Sequence, residues 1–189
     1  MPITTGRLHL RPLTAADLPA LWRLHSDART FHLDSTPPLD AVDQMERVLA
    51  VWLACARRDG IGYMLITAAD PSGDVLGVAG LSGMDVGSER VANLYVRLHP
   101  HAWGRGVAQE ALRAQLNRLS MLQGTDEGPV GLRSAHDAVI ITAVQNTPMR
   151  TLAHRLGFHP TEDQDPTAGF EHVLFRKPLR PLTETDHGR

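Results

Sequence analysis

The sequence has a single cysteine, Cys55, among 189 residues, which excludes an intrachain disulfide and a C-x-x-C site. It also lacks an excess of positive charge. Lys and Arg number 19 against 21 Asp and Glu, a net of -2. That excludes a nucleic-acid binder whose affinity comes from bulk basicity and leaves only a local basic patch. No apolar run nears the ~18 residues of a membrane span. The stretch Met1 to Arg7 lacks the basic-then-apolar order of a secretion signal. The expected location is the cytoplasm, with neither nucleic acid nor membrane as partner. No repeat, low-complexity tract or linker divides the chain.

What is present is an ordinary globular composition, 42% apolar and 21% charged, at a length that suits one domain with a full core. We expect that domain over 1–180 and a loose, polar, proline-containing tail over 181–189. Leu8 and Leu10 alternate with polar neighbours, as in a strand with one buried face. Thr14 caps a helix, with Asp17 as its acidic partner, and Leu18, Leu21, Trp22 and Leu24 form the apolar face. After a loop from Ala28 to Pro38, a second helix starts at Asp40. It carries Val42, Met45, Val48, Leu49, Trp52, Leu53 and Ala56 at three-and-four spacing and ends at Gly60. Cys55 sits at an apolar-periodic position of this helix and reads as an inert core residue.

Ile61 to Thr67 and Val75 to Leu81 read as strands of a hairpin about the turn Asp70 to Asp74. Ser82 to Glu89 reads as a loop and Val91 to Leu98 as the next strand. A Gly-rich turn then leads into a helix lined by Val107, Ala108, Ala111, Leu112, Leu116 and Leu119. Gln123 to Asp137 shows no periodicity and is long for a structureless connection. Ala138 to Val144 is apolar enough for a central strand. Thr147 caps and Pro148 opens a last helix, which Gly157 stops. A final strand covers Phe170 to Lys177. The order, βα-α-βββ-α-β-α-β, is that of an α/β chain.

The informative stretch is Trp103-Gly104-Arg105-Gly106-Val107-Ala108, between a strand and a helix. Two glycines and a small alanine leave the backbone uncovered, so amide N–H groups at the helix N-terminus can hold a phosphate. Arg105 can add a charge-assisted contact. The bland alternative is a tight strand-to-helix turn. A nucleotide P-loop would need Gly-Lys-Ser/Thr, but Val107 follows Gly106. A dinucleotide fingerprint would need a third glycine where Gln109 stands.

At this point the chain resembles the GNAT N-acetyltransferase superfamily, and within it the branch of ribosomal-protein-alanine N-acetyltransferases. Three stretches carry the resemblance: Gly6 to Asp17, Leu98 to Leu112, and Asn146 to Phe158 with its Asn…Gly-Phe spacing. The resemblance implies a mixed, mostly antiparallel, splayed sheet flanked by about four helices. It implies acetyl-coenzyme A as cosubstrate and no metal, with the acetyl group passed to a primary amine, either a protein N-terminus or a small molecule. The pantetheine arm would pair with the strand Asn93 to Leu98, including Tyr95, Val96 and Arg97. The diphosphate would sit on the turn Trp103, Gly104, Arg105, Gly106, Val107 and Ala108. Asn146 would contact the pantetheine arm; it also reads as a helix-start residue. A homodimer is compatible with this family.

The sequence departs from common family patterns at the catalytic positions. A strand glutamate found in many members is Asn93 here, a helix tyrosine is Ala153, and a serine common in this branch is Met149. Glu89 is then the first choice of general base, by its nearness to the strand. Asp85, His99, His101 and His32 are the other candidates. Tyr95 is the only tyrosine near the proposed centre; it reads as catalytic or as a sheet-packing aromatic. Asp34, Asp40 and Asp43 read as attractors of a cationic amine or as caps and solvated charges. With these departures, a non-catalytic acyl-coenzyme A sensor is the alternative to an enzyme.

Overall fold

Alternating apolar residues build a sheet, and helical stripes cover both of its faces. The computed structural model describes residues 1–123, 125–161 and 172–179. The elements are β1 (Ile3–Thr4), β2 (Leu8–Pro12), α1 (Leu18–His25), α2 (Val42–Asp59), β3 (Tyr63–Ala68), β4 (Val75–Val86) and β5 (Glu89–Leu98). They continue with α3 (Val107–Leu122), β6 (Asp137–Ala143), α4 (Thr147–Arg155), β7 (His159–Pro160) and β8 (His172–Pro178). The eight strands form one open sheet in the order β1-β2-β3-β4-β5-β6-β8-β7. Every neighbouring pair is antiparallel except β5 and β6. The sequence reading of a mixed, mostly antiparallel sheet with four helices matches this architecture.

The parallel pair is the key irregularity. It holds for only two rungs, Ala92 opposite Ala138 and Asn93 opposite Val139. Beyond them β5 stays paired with β4 as far as Leu98, and β6 stays paired with β8 from Asp137 to Ala143. Each strand is therefore pulled to its other neighbour and the sheet splays. On one face, Leu21, Leu24, Met45 and Leu49 of α1 and α2 bury against Leu65 and Val78. On the other, Leu112, Leu116 and Leu119 of α3 bury against Leu10, Ile66, Leu94 and Ile140.

Several expectations need correcting. Ser82–Glu89 is not a loop. β4 runs on to Val86 and β5 begins at Glu89, joined by a two-residue turn with Gly87 at φ 59°, the position where such hairpins favour glycine. Gly83 weakens a strand by roughly 0.5–1 kcal/mol. Val86 and Val91, however, bury against Val139 and Leu174, and each buried side chain of this kind contributes roughly 1.5–3 kcal/mol, so strand wins over loop. Asn146, not Thr147, caps α4: its side-chain oxygen accepts from the Met149 N–H at 3.1 Å. Val42 is exposed rather than part of the buried stripe, and Cys55 is half-buried rather than core.

Within the stretch 123–137, the described residues 125–137 are not structureless. A short 3-10 turn at Val130–Leu132 buries Leu132 and Ala135 in the main core. A Cβ on Gly131 would lie 2.4 Å from that of Asp59, so only glycine fits this approach. The strands β1 and β7 were not expected. The final strand is seen from His172, while Phe170, Glu171 and the tail over 181–189 lie outside the described residues.

Candidate functional site

Where β5 and β6 part, they leave a cleft of about 210 Å³. Leu94, Tyr95, Val96 and Arg97 form one wall; Ile141, Ala143, Asn146 and Met149 face them, and Asp34 to Thr36 close one side. In an antiparallel strand, alternate backbone groups point to opposite neighbours. The groups of Leu94 to Arg97 that point away from β4 thus face the cleft with no β6 rung to pair them. Asn146 spends its oxygen on the cap. Its amide nitrogen has no hydrogen bond among the described residues and lies at the cleft wall as a spare donor.

At the end of β5 the chain makes a 3-10 turn at Pro100–Ala102 and passes Gly104 and Gly106 at φ 70° and 75° before α3 begins. Gly106 is the N-cap of α3, and no side chain caps it. Among the described residues, the first-turn N–H groups have no hydrogen-bond acceptor. A Cβ on Gly104 would meet nothing within 4 Å, and one on Gly106 only Arg7 Nη2 at 3.4 Å. The turn is thus a bare cradle of donors at the positive end of a helix dipole, which favours an anion.

The cradle is held by residues that the sequence reading did not single out. Arg7 Nη1 donates to the Arg105 carbonyl at 2.9 Å and Arg7 Nε donates to Glu110 at 2.8 Å. Glu110 also accepts from the Thr5 hydroxyl and the Arg7 N–H. This latch ties the first strands to the first turn of α3. Nothing local announces a contact across 103 positions. Trp103 donates its indole N–H to the Leu98 carbonyl at 3.0 Å and remains 42% exposed.

Beside the cleft lies a directed hydrogen-bond chain. His25 is 4% exposed, and its Nδ1 lies 2.8 Å from the Leu21 carbonyl. A carbonyl only accepts, so Nδ1 carries the proton and Nε2 is an acceptor. Tyr95 Oη, 3.0 Å away, must then donate to Nε2. Arg97 Nε in turn donates to Tyr95 Oη at 2.8 Å. The Arg97 guanidinium stacks 3.6 Å above the Phe31 ring and pairs with Asp34. Burial raises the Tyr95 hydroxyl above its ordinary pKa, against the pull of Arg97.

Burial also pushes His25 down from 6.5 to about 4, so the folded protein holds it neutral. Between pH 6.5 and 4 the unfolded chain takes up a proton that the folded chain refuses. The associated stability is complete above 6.5 and is lost as pH falls, by about 3 kcal/mol in all. Urea unfolding followed from pH 7 to 4 is expected to show this loss, and His25→Gln to flatten that part of the profile. An equal slope in the variant would assign it elsewhere.

The structure brings some of the expected site residues together and leaves others apart. Tyr95, Val96, Arg97 and Asn146 line the cleft. Gly104, Arg105, Gly106 and Ala108 form the turn, and Val107 is buried, offering only its backbone. Leu98 faces the core, its carbonyl taken by Trp103. Glu89 is not at the cleft. It stands at the tip of the β4–β5 hairpin, paired with Arg176 at 2.6 Å, six residues from Tyr95, which is roughly 20 Å along a strand. Asp85 is beside it, paired with Arg90 at 3.1 Å.

His99 and His101 stack on each other, and His32 lies against Trp103; all three are outside the cleft lining. Of the acidic trio, Asp34 is neutralised by Arg97 and Asp43 is paired with Arg47 at 2.7 Å. Asn93 adds something new. Its carboxamide oxygen is buried without a hydrogen-bond partner at the last rung before the sheet opens.

Among the described residues, no cluster of three or more His, Cys, Asp or Glu could hold a metal ion, and no helix is long and apolar enough to cross a membrane.

Comparison with known proteins identifies the family and the fold. The acetyltransferase (GNAT) domain family model matches residues 7–159. No curated protein matches the chain. Among solved structures, an acetyltransferase from Agrobacterium tumefaciens str. C58 is similar at 24% identity, with 94% of each chain covered and a TM-score of 0.73. RimL, a ribosomal L7/L12 alpha-N-protein acetyltransferase in complex with coenzyme A, is similar at 16% identity, with 96% of this chain and 100% of that chain covered and a TM-score of 0.75. Spermidine N-acetyltransferase from Vibrio cholerae, in complex with coenzyme A and spermine, is similar at 16% identity, with 93% and 97% covered and a TM-score of 0.67. At these identities the likeness is one of fold.

Proposed function

This chain belongs to the acetyltransferase (GNAT) domain family, and from that premise we propose that it is an N-acetyltransferase, moving the acetyl group of acetyl-coenzyme A directly onto a primary amine. The observation that carries the proposal is the juxtaposition of an opened β5–β6 ladder with an uncapped helix N-terminus at the end of the same strand. The coenzyme complexes of RimL and of spermidine N-acetyltransferase support it by likeness of fold. In this reading the domain spans 1–180, works in the cytoplasm and needs no metal, and the tail over 181–189 takes no part.

Backbone N–H groups of Gly106, Val107 and Ala108, with Arg105 beside them, would hold the diphosphate. The free edge of Leu94 to Arg97 and the spare donor of Asn146 would hold the pantetheine arm. Bound acetyl-coenzyme A supplies a thioester, an acyl group already activated for transfer. A backbone N–H on the Leu94–Arg97 wall would stabilise the carbonyl oxygen as it gains charge. The amine forms the new C–N bond as the C–S bond breaks. Tyr95 would give its proton to the departing sulfur, and the phenolate, steadied by Arg97, would regain a proton from the amine nitrogen through water. Asn93, whose oxygen is unpartnered at the last rung, can accept a hydrogen bond from the amine but cannot take its proton.

That inability bears on the acceptor. The one carboxylate lining the cleft among the described residues, Asp34, is held by Arg97, which leaves the imidazole of His172 as the other candidate base in the lining. An amine that arrives partly neutral asks least of so sparse a set of bases. An α-amino group of pKa ~8 is neutral at pH 7 over roughly two orders of magnitude more often than a lysine of pKa ~10.4. This favours a protein or peptide N-terminus over a lysine side chain. The same scarcity of bases favours, as a second reading, a sensor that binds the coenzyme without turnover.

Free thiol released from acetyl-coenzyme A separates the two readings. Short peptides with free α-amino groups are expected to give the fastest release, spermine and lysine slower release, and Glu89→Gln no change. Thermal stabilisation by acetyl-coenzyme A with no release across the panel would mean a sensor.

A further inference from the structure

A second cavity, of about 290 Å³, lies where β2 ends and β3 begins, between α2 and α3. Its walls are apolar, with Leu13, Trp52, Ile61, Met64, Leu119 and Leu122 prominent among them. An aromatic partition divides it from the cleft. Trp52 and Tyr63 line the cavity, and their rings also pack on Tyr95 with centroids 5.7 and 5.4 Å apart. Arg118 and Glu127 also line it, half-buried and exposed respectively, and Gln115 of α3 is the buried polar side chain of the lining, only 4% exposed. Its carboxamide nitrogen is buried without a partner, and its oxygen has no hydrogen bond among the described residues.

That arrangement is unfavourable in a protein that leaves the space unused. A buried amide without partners costs roughly 1–3 kcal/mol, and leucine at 115 would fill the same helical position without the loss. Water is a poor remedy at the buried nitrogen, because a buried water needs about 2–4 polar partners and most of the lining side chains are apolar. A molecule with an apolar body and one donor–acceptor head satisfies both features together. The head that meets Gln115 must be neutral, since Gln115 itself offers no charge to offset the desolvation of an ion, and the charged lining residues Arg118 and Glu127 are more exposed than it. The occupant must be small, since the cavity lies at the lower end of the range for ligand pockets, roughly 300–1,000 Å³.

We propose that this cavity is a second ligand site, distinct from the coenzyme cleft, for a small neutral molecule with an apolar body and a single carboxamide-like head that pairs with Gln115. The pairing is reciprocal: the ligand N–H donates to Gln115 Oε1 and Gln115 Nε2 donates to the ligand carbonyl. The site rests on the cavity and the orphaned amide, not on acetyl transfer.

Benzamide is a suitable probe, titrated into the full chain and followed by protein NMR and calorimetry. Saturable shifts at the amides of Ile61, Gln115 and Leu119 are expected. Gln115→Leu is expected to weaken benzamide binding about tenfold, to raise the melting temperature of the free protein, and to leave acetyl-coenzyme A affinity unchanged. Leu122→Trp, which keeps Gln115 but occupies the space, is expected to abolish benzamide binding. Absence of saturable shifts in the wild-type protein overturns the proposal. So does equal benzamide affinity in Gln115→Leu or Leu122→Trp.

Discussion

Gly106→Glu is expected to abolish acetyl-coenzyme A binding while the protein stays folded. Gly106 is the N-cap of α3 at φ 75°, a left-handed conformation that costs a residue with a Cβ roughly 1–2 kcal/mol. Strain of that size weakens the turn without unfolding a domain. The side chain does more. There is open space around this position, bounded by Arg7 Nη2 at 3.4 Å, so a glutamate can fold back onto the bare N–H groups and lie against Arg7. It then occupies with its own carboxylate the place proposed for the diphosphate, and repels a second anion from it. Gly106→Ala carries the same strain without the carboxylate. Calorimetry should therefore find no measurable binding in Gly106→Glu and a reduced but finite affinity in Gly106→Ala. Equal affinities in the two variants would show that strain alone, not occupation of an anion site, governs the turn.

Tyr95→Phe is expected to lower kcat about 100-fold, the low end of what a positioned acid–base group supplies, with little change in KM for acetyl-coenzyme A. In the resting protein the Tyr95 proton points to His25 Nε2 while Arg97 Nε–H points at its oxygen. In the proposed reaction, turning that proton to the departing sulfur would leave a phenolate already facing a guanidinium, which the stack of Arg97 on Phe31 and its pairing with Asp34 keep in place. Because burial holds the Tyr95 hydroxyl above its usual range, no loss of rate from its ionisation is expected below pH ~10. A Phe variant with unchanged kcat would make Tyr95 a packing aromatic and nothing more.

The parts of this site legible in the sequence are those written in consecutive residues. Trp103 to Ala108 announce a bare turn because glycine and alanine there leave nothing else to cover the backbone. The apolar alternation and the helical stripes likewise place β2, α1, α2 and α3. What sequence reading misreads is set by partners far along the chain. Gly83, Asp85, Gly87 and Glu89 look like loop residues on local propensity, yet Val86 and Val91 find Val139 and Leu174 across the sheet and draw the segment into a hairpin. That extension carries Glu89 away from the cleft and makes its nearness in sequence to Tyr95 misleading. Arg7 and Glu110 form the latch of the Gly104–Gly106 turn although 103 positions separate them. His25 resembles any helix residue until burial and the Leu21 carbonyl fix its tautomer. Asn146, by contrast, meets its local expectation as a helix-start residue and still keeps a donor facing the cleft.

The most direct test of the account is a structure of the full chain bound to coenzyme A. The account predicts a diphosphate within hydrogen-bonding distance of the backbone N–H groups of Val107 and Ala108, and a pantetheine arm between Leu94–Arg97 and β6. A coenzyme bound elsewhere, with the Gly104–Gly106 turn vacant and β5 and β6 closed on each other, would contradict it.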